Sequence, residues 1–115
     1  MFWDAPGRKT FLQIDQTSWT GTPLQRAYRA DGDAPSDADF PGYAMESIQG
    51  LKYQGVDAAD RQFTFDDSGG GTARAKDRFV RLNGRTYAVY FRALEHDWAS
   101  AQTHLATIYR TFRAA

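Results

Sequence analysis

Two segments in the second half of the chain are joined by Asn83-Gly84, and this junction constrains the fold more than any other feature. Asn and Gly tolerate the positive φ angles of a two-residue hairpin turn. The pair therefore predicts a hairpin between strands at 72–82 and 85–93. In the second strand, Tyr87, Val89 and Phe91 occupy alternate positions and are expected to share the buried face.

An amphipathic helix is predicted directly after this hairpin. Apolar residues recur there at steps of three and four, which places them along one side of a helix. Asp97 is the expected N-cap, because its carboxylate can accept hydrogen bonds from the first free backbone N–H groups. The apolar stripe consists of Trp98, Ala101, Leu105, Ile108 and Phe112.

The first third of the chain predicts two strands and a short helix. A strand at 10–16 follows a turn at 4–7, and Phe2-Trp3 would end a preceding strand. Thr22 as N-cap and Pro23 at the first helical position indicate a helix over 22–29. The side chains expected to face inward are Leu24, Ala27 and Tyr28.

The middle of the chain alternates between loops and strands. The segment 31–39 is rich in Asp, Gly, Pro and Ser, which predicts a mobile loop. Strands are expected at 43–53, with an interruption near Gly50, and at 58–65, where apolar and polar residues alternate. The glycine-rich run 66–71 lacks the Lys-Ser/Thr of a phosphate-binding loop, so we predict that it links two strands.

This order of elements predicts an α+β fold. We expect a twisted antiparallel sheet with a long C-terminal helix on one face and a short helix after the first full strand. The length of 115 residues suits one domain, 1–115.

The composition argues against several classes of function. Lys and Arg number 14 and Asp and Glu number 14, and this zero balance argues against nucleic-acid binding through neutralised phosphates. No apolar run reaches the length of a membrane span, which argues against direct membrane insertion. The chain has no cysteine, so thiol nucleophiles and Cys-ligated metals are excluded.

Several short segments occur in one order: FWDAPG at 2–7, LQID at 12–15, FPGY at 40–43, YQGVDAA at 53–59, NGRTYAVY at 83–90, DW at 97–98 and IYRTF at 108–112. Together they resemble the PsbP-like α/β/α sandwich domains of actinobacteria. These form the non-catalytic C-terminal part of serine/threonine protein kinases or occur as small secreted or lipid-anchored proteins. The resemblance implies a non-enzymatic binding module, a sensor-like or accessory domain of a longer actinobacterial protein, that binds a protein partner or small ligand.

Such domains usually begin with a further strand before the segment that matches Phe2-Trp3. Without that strand, the chain is either a fragment of a longer protein or leaves a sheet edge open. An open edge can pair with another chain, so a homodimer is one expected outcome. The location would be extracytoplasmic for a fragment of a membrane-anchored protein and cytoplasmic otherwise.

Residues suited to catalysis are sparse. His96 and His104 lack the spacing that places two metal ligands on one helical face. No Gly-x-Ser-x-Gly nucleophile motif occurs. We therefore predict no catalytic residue, no metal and no cofactor. The alternative is a small hydrolase or transferase with a site between helix and loops, because carboxylates distant in sequence can meet in space.

Cations on the predicted hairpin supply the first candidate binding surface. Arg74, Lys76 and Arg78 alternate along one strand and share a face, which we predict to lie away from the C-terminal helix. Such a stripe can receive a phosphate or an acidic partner. The alternative is a stripe that is solvated or paired with aspartates on neighbouring strands. The same hairpin also carries Arg81, Arg85 and Arg92.

Aromatic side chains supply the second candidate. Trp19 and Tyr90 belong to a set of aromatics larger than a small core can hold, and exposed aromatics beside Arg are typical interface anchors. Trp19 lies in the polar connection before Pro23. The predicted binding residues are Trp19, Arg74, Lys76, Arg78, Tyr90 and Arg92.

Overall fold

The computed structural model describes residues 10–114 in full and the backbone of residues 2–4. The elements of this part of the chain are β1 (Phe2–Asp4), β2 (Phe11–Asp15), α1 (Pro23–Asp33), β3 (Ala44–Tyr53), β4 (Val56–Asp66), β5 (Thr72–Leu82), β6 (Arg85–Leu94) and α2 (Glu95–Thr111). A 3₁₀ turn, Ala34–Ser36, directly follows α1.

The strands form one antiparallel sheet in the order β1-β2-β6-β5-β4-β3. The predicted hairpin is confirmed, with φ angles of 52° at Asn83 and 76° at Gly84. Phe2-Trp3 does belong to a strand that precedes β2. Residues 5–7 of the predicted turn lie outside the described residues. The α+β fold expected from the order of elements is therefore confirmed.

The predicted interruption of β3 is wrong, since the strand runs through Gly50. Gly50 pairs with Ala59 in regular register. A glycine removes a side chain from a strand but keeps both backbone hydrogen-bonding groups, so the ladder continues. The irregularity lies earlier, where the register shifts between Met45 and Ser47.

α2 packs across one face of the sheet. Trp98, Ala101 and Leu105 are buried against Val89 and Phe91 of β6. The predicted stripe is therefore confirmed in this part of the helix. Its last two members, Ile108 and Phe112, are partly buried against the sheet, and Phe112 lies just beyond the end of the helix.

The predicted N-cap of α2 is wrong. The helix begins at Glu95, directly after β6, and the extended residue Leu94 occupies the N-cap position. Asp97 consequently lies inside the first turn. Glu95 and Asp97 still place negative charge near the positive end of the helix dipole, which favours a helix start without a side-chain cap.

The predicted start of α1 is confirmed. The Thr22 hydroxyl accepts a hydrogen bond from the Gln25 backbone at 3.1 Å, and the Gln25 side chain accepts one from the Thr22 backbone at 3.0 Å. The helix continues to Asp33, beyond the predicted end, so the start of the predicted mobile loop is helical. Ala34 in the following turn is buried, and this packing overrides the loop-like composition.

Two of the three predicted inward side chains of α1 are wrong. Ala27 is fully buried against Ala59 and Phe79, whereas Leu24 and Tyr28 are 40% and 57% exposed. The helix turns its small residues toward the sheet, and these allow a close approach that larger side chains would prevent. The face of α1 that packs on the sheet is therefore decided by residue size, and the spacing of apolar residues carries no information about size.

The two helices lie on opposite faces of the sheet. Phe79 packs under α1, and the next residue, Val80, packs with Tyr87 in the cluster that includes Tyr109 of α2. Because neighbouring residues of a strand point to opposite faces, the architecture is an α/β/α sandwich. We call the two sides the α1 face and the α2 face.

Within the described residues, no helix combines the length and apolar character needed to cross a membrane.

Candidate functional site

The predicted position of the basic stripe is wrong, because Arg74, Lys76 and Arg78 lie on the α2 face. An Arg74 Nη2 is 3.0 Å from Oε1 of Glu95, the first residue of α2, and the Arg78 guanidinium is 3.6 Å from the ring centroid of Tyr109. Val80 packs on this face, so the alternation of β5 places the even-numbered cations beside it.

Acidic side chains on neighbouring elements neutralise this stripe. Arg78 is buried and donates two hydrogen bonds to Asp60, at 2.7 and 2.8 Å. Lys76 Nζ lies 3.5 Å from the same carboxylate, and Arg74 Nε lies 2.9 Å from Oε1 of Glu46. These ion pairs favour the alternative interpretation, in which the stripe pairs within the sheet.

The α1 face carries a cleft of about 530 Å³ between α1, the segment after it, and the sheet. Of the predicted binding residues, Tyr90 and Arg92 line this cleft. Trp19, Arg74, Lys76 and Arg78 do not. Its apolar walls are formed by Phe11, Phe40, Phe65, Phe79 and Tyr90, and its charged groups are Asp15, Arg26, Asp37, Asp39, Arg61, Asp77 and Arg92.

A buried ion pair forms part of the cleft. Arg61 and Asp77 are only 4% and 6% exposed, they are paired across β4 and β5, and Arg61 Nη2 donates to Oδ2 of Asp77. The Arg61 guanidinium also lies 4.3 Å from the ring centroid of Phe63. Burial raises the pKa of Asp77, although the charge of Arg61 opposes the change.

The raised pKa of Asp77 gives a pH prediction for stability. The folded state holds a proton on Asp77 at pH values where the unfolded chain has lost it. Protonated Asp77 therefore contributes to the free energy of unfolding at low pH, and this contribution is lost as the pH rises through the raised pKa. Urea unfolding of wild type and Asp77→Asn at about pH 4 and about pH 7 measures the effect.

The stability of wild type minus that of Asp77→Asn is expected to fall as the pH rises. The control is Asp57→Asn, which removes an exposed carboxylate that pairs with Lys52. A difference that grows with pH for Asp77→Asn would contradict the direction of the pKa shift.

Arg92 links the cleft to the loop between β4 and β5. Its Nη2 is 2.7 Å from Oδ1 of Asp67, and both side chains are buried. The guanidinium lies 5.5 Å from the ring centroid of Phe11 and 5.2 Å from that of Phe65. Arg92 therefore holds the loop and two aromatic walls of the cleft together.

Tyr90 presents a polar group to the cleft. Burial, reinforced by the negative charge of Asp77, raises the pKa of the phenol. The hydroxyl therefore stays protonated at neutral pH and can donate a hydrogen bond. Among the described residues it has no hydrogen-bond partner, so a bound molecule can use this donor.

The segment that we call the strap, 37–43, closes one side of the cleft. Phe40 packs edge-on against Phe63 and Phe65, with centroid distances of 5.1 Å to each ring. The Tyr43 hydroxyl donates to Oδ1 of Asp31 in α1 at 2.7 Å. Burial and this hydrogen bond raise the pKa of Tyr43 to about 12. The strap is therefore fastened to both the sheet and α1.

Trp19 lies outside the cleft and packs on the core of the α1 face. Its ring is edge-on to Phe79 at a centroid distance of 6.4 Å, and the Arg81 guanidinium lies 4.8 Å from its centroid. The predicted binding residues therefore do not form one site.

Comparison with known proteins identifies the family. A family model described as the serine/threonine kinase C-terminal domain matches residues 2–114. The chain belongs to this family. No functionally curated protein matches the chain in sequence.

Two solved structures are similar to this chain over its full length. A Pseudomonas aeruginosa protein of unknown function, PA94, described as a candidate regulator, superposes with a TM-score of 0.77 at 12% identity and is covered to 82%. The solution structure of PsbP (CyanoP) from Synechocystis sp. PCC 6803 gives a TM-score of 0.59 at 12% identity and is covered to 81%. Together with the family match, these neighbours confirm the resemblance to PsbP-like domains.

The sequence-based predictions missed Arg26, Arg61 and Asp77 of the cleft. A signal for two of them was present. Arg61 precedes Phe63 and Phe65 at alternate positions, and Asp77 stands between Ala75 and Phe79 in the same pattern. When each of two adjacent strands has a single charged residue among its inward-facing apolar positions, the two charges are expected to form a buried ion pair.

Proposed function

We propose that this kinase C-terminal domain is a non-catalytic binding module and that its ligand, or a segment of a partner, occupies the cleft on the α1 face. The family match supports an accessory role beside a kinase. The cleft supports binding, because its volume of about 530 Å³ falls within the range of small-molecule sites and five aromatic rings line it beside charged groups.

Two unused hydrogen-bond donors carry this proposal. The Arg26 guanidinium lies 5.4 Å from the ring centroid of Phe79, and it makes no hydrogen bond or ion pair with any residue that the structure describes. The Tyr90 hydroxyl, also in the cleft, is likewise unpartnered. Donors in an aromatic cleft suit a ligand with an apolar body and one acceptor group, such as a carboxylate.

Acidic side chains narrow the choice of ligand. Asp15, Asp37 and Asp39 line the cleft and are exposed. Their charge disfavours polyanions, which agrees with the balanced composition of the chain. A compact ligand with a single negative charge suits Arg26 and Tyr90 best.

Benzoate provides a direct test of the cleft. In ¹H–¹⁵N spectra, we expect saturable shifts at Arg26, Ala88 and Tyr90. Loss of the positive charge in Arg26→Gln, or of the hydroxyl donor in Tyr90→Phe, should weaken binding about 3- to 10-fold. Tyr28→Phe is the matched control, because Tyr28 lies on α1 and is 57% exposed outside the cleft.

Two results would contradict this site. One is an absence of saturable shifts in the cleft with benzoate. The other is equal weakening by the Tyr28 control. Benzylamine, which carries a positive charge on the same ring, serves as the comparison ligand, and tighter binding of benzylamine would show that the acidic side chains rather than the two donors select the ligand.

A small hydrolase or transferase is the second candidate. It is favoured by the presence of Asp77 and Tyr90 in one cleft, both with raised pKa values, because such groups can act as proton donors. Against it, Arg61 holds the Asp77 carboxylate in an ion pair, and the pKa of Tyr90 moves away from neutrality.

Hydrolysis of p-nitrophenyl acetate and p-nitrophenyl phosphate separates the two candidates. The binding module predicts no turnover above that of Asp77→Asn. Turnover by the wild type that is lost in this variant would establish the enzymatic alternative.

Pairing of two copies through an open sheet edge stays a prediction. Sedimentation of the purified chain tests it, and a monomer at micromolar concentration would count against edge pairing.

A further inference from the structure

Six cations lie on the β5–β6 hairpin, and their partners divide them into two groups. Four of them pair with carboxylates, namely Arg74, Lys76, Arg78 and Arg92. Arg81 and Arg85 make no ion pair with any side chain in the described part of the chain. These two positive charges are therefore available to an external anion.

Arg81 and Arg85 line the same small pocket near the hairpin turn. The pocket has a volume of about 270 Å³, and none of its lining residues is acidic. Gln16 and Ser18 also line it and add neutral hydrogen-bond donors. The pocket shares no lining residue with the cleft on the α1 face.

Local contacts hold Arg81 in place before any ligand binds. Its Nη2 lies 3.1 Å from the carbonyl oxygen of Gly21 and 3.5 Å from that of Trp19. Its guanidinium also lies over the Trp19 ring. A guanidinium has five N–H donors, so these contacts fix its position and leave further donors for a ligand.

We propose that this pocket binds a phosphate monoester. Two guanidinium groups match the charge of a phosphate that is close to dianionic at neutral pH, and their planar donor geometry suits its oxygens. Trp19 positions Arg81, and Arg85 supplies a second, exposed cation to the pocket. Trp19 is then a positioning residue, which explains why it lies outside the cleft.

The experiment follows ¹H–¹⁵N shifts at constant ionic strength and about pH 7.5, where the phosphate is largely dianionic. The probes are inorganic phosphate, the peptide acetyl-Ala-phosphoSer-Ala-amide and the same peptide without phosphate. We expect saturable shifts at Ser18, at the Trp19 indole and at Arg85 with both phosphate probes. The unphosphorylated peptide should leave these signals unchanged.

Arg85→Gln is the main variant, because Arg85 is exposed and its side chain makes no hydrogen bond or ion pair within the described part of the chain. It should weaken phosphate binding about tenfold, as expected for a charge-assisted hydrogen bond. Arg110→Gln is the matched control, since it removes an exposed arginine of α2. It should change phosphate affinity less than twofold, which is about the effect of a distant charge in salt.

The outcomes are distinct. Tighter binding of the phosphopeptide than of inorganic phosphate would assign the site to a phosphorylated chain segment, and equal affinity would assign it to free phosphate. No saturable binding, or equal weakening by the two variants, would overturn the site. Because the cleft residues are not involved, such a failure would leave the benzoate prediction untouched.

Discussion

Arg78→Ala is expected to lower the free energy of unfolding by about 3–5 kcal/mol, because the buried carboxylate of Asp60 loses both of its short hydrogen bonds and keeps only the longer contact with Lys76. In the wild type, Asp60 accepts two hydrogen bonds from Arg78. The guanidinium also contacts two rings, 3.6 Å from the centroid of Tyr109 and 4.7 Å from that of Tyr53. The variant loses both the charge pairing and this packing between sheet and helix.

Urea unfolding followed by circular dichroism measures this loss. The midpoint of thermal unfolding should fall by about 10–20 °C for a chain of this size. Lys76→Ala is the matched control, since Lys76 contacts the same carboxylate at 3.5 Å but is more exposed, and it should cost less than about 1 kcal/mol. A loss below that value in Arg78→Ala would return Arg78 to the set of candidate binding residues.

Phe63→Ala is expected to cost about 3–5 kcal/mol, because the removed ring leaves a cavity in the α1 face. Phe63 is fully buried. Its ring contacts Phe40 and Tyr43 of the strap, each at a centroid distance of 5.1 Å, and lies against the Arg61 guanidinium. The variant should therefore loosen the strap as well as the core.

Urea unfolding measures the stability, and hydrogen exchange measures the strap. The Asp66 amide donates to the Pro41 carbonyl at 2.7 Å, so its exchange should accelerate in Phe63→Ala. Met45→Ala is the control, because Met45 lies on the same sheet and is 45% exposed, and it should change stability by at most about 0.5 kcal/mol. Unchanged exchange at Asp66 would show that Phe63 is not needed to hold the strap.

Local patterns were sufficient to predict the elements of the fold but not the way in which they pack. The turn at Asn83-Gly84 and the start of α1 follow from backbone geometry and hydrogen bonding within a few residues. Alternation along β5 correctly grouped Arg74, Lys76 and Arg78. It could not reveal which helix covers that group, because this depends on contacts between residues far apart in the chain.

The candidate site was predictable only in part. Tyr90 and Arg92 were selected, and both line the cleft. Arg61 and Asp77 each stand out as a charge in an otherwise apolar pattern, but the pair was missed because joining them requires the register of β4 against β5. Arg26 lies across the cleft on a helix, where no sequence pattern connects it to the sheet.

The two ion pairs of β4 and β5 also bear on folding fidelity. Asp60 pairs with Arg78 on the α2 face, and Arg61 pairs with Asp77 on the α1 face. A slip of β5 by one residue would exchange its faces and bury each charge beside the wrong neighbour. A misaligned β4–β5 hairpin would therefore be less stable than the native one and would dissociate quickly during folding. The alternating charges thus select the native register of the two strands.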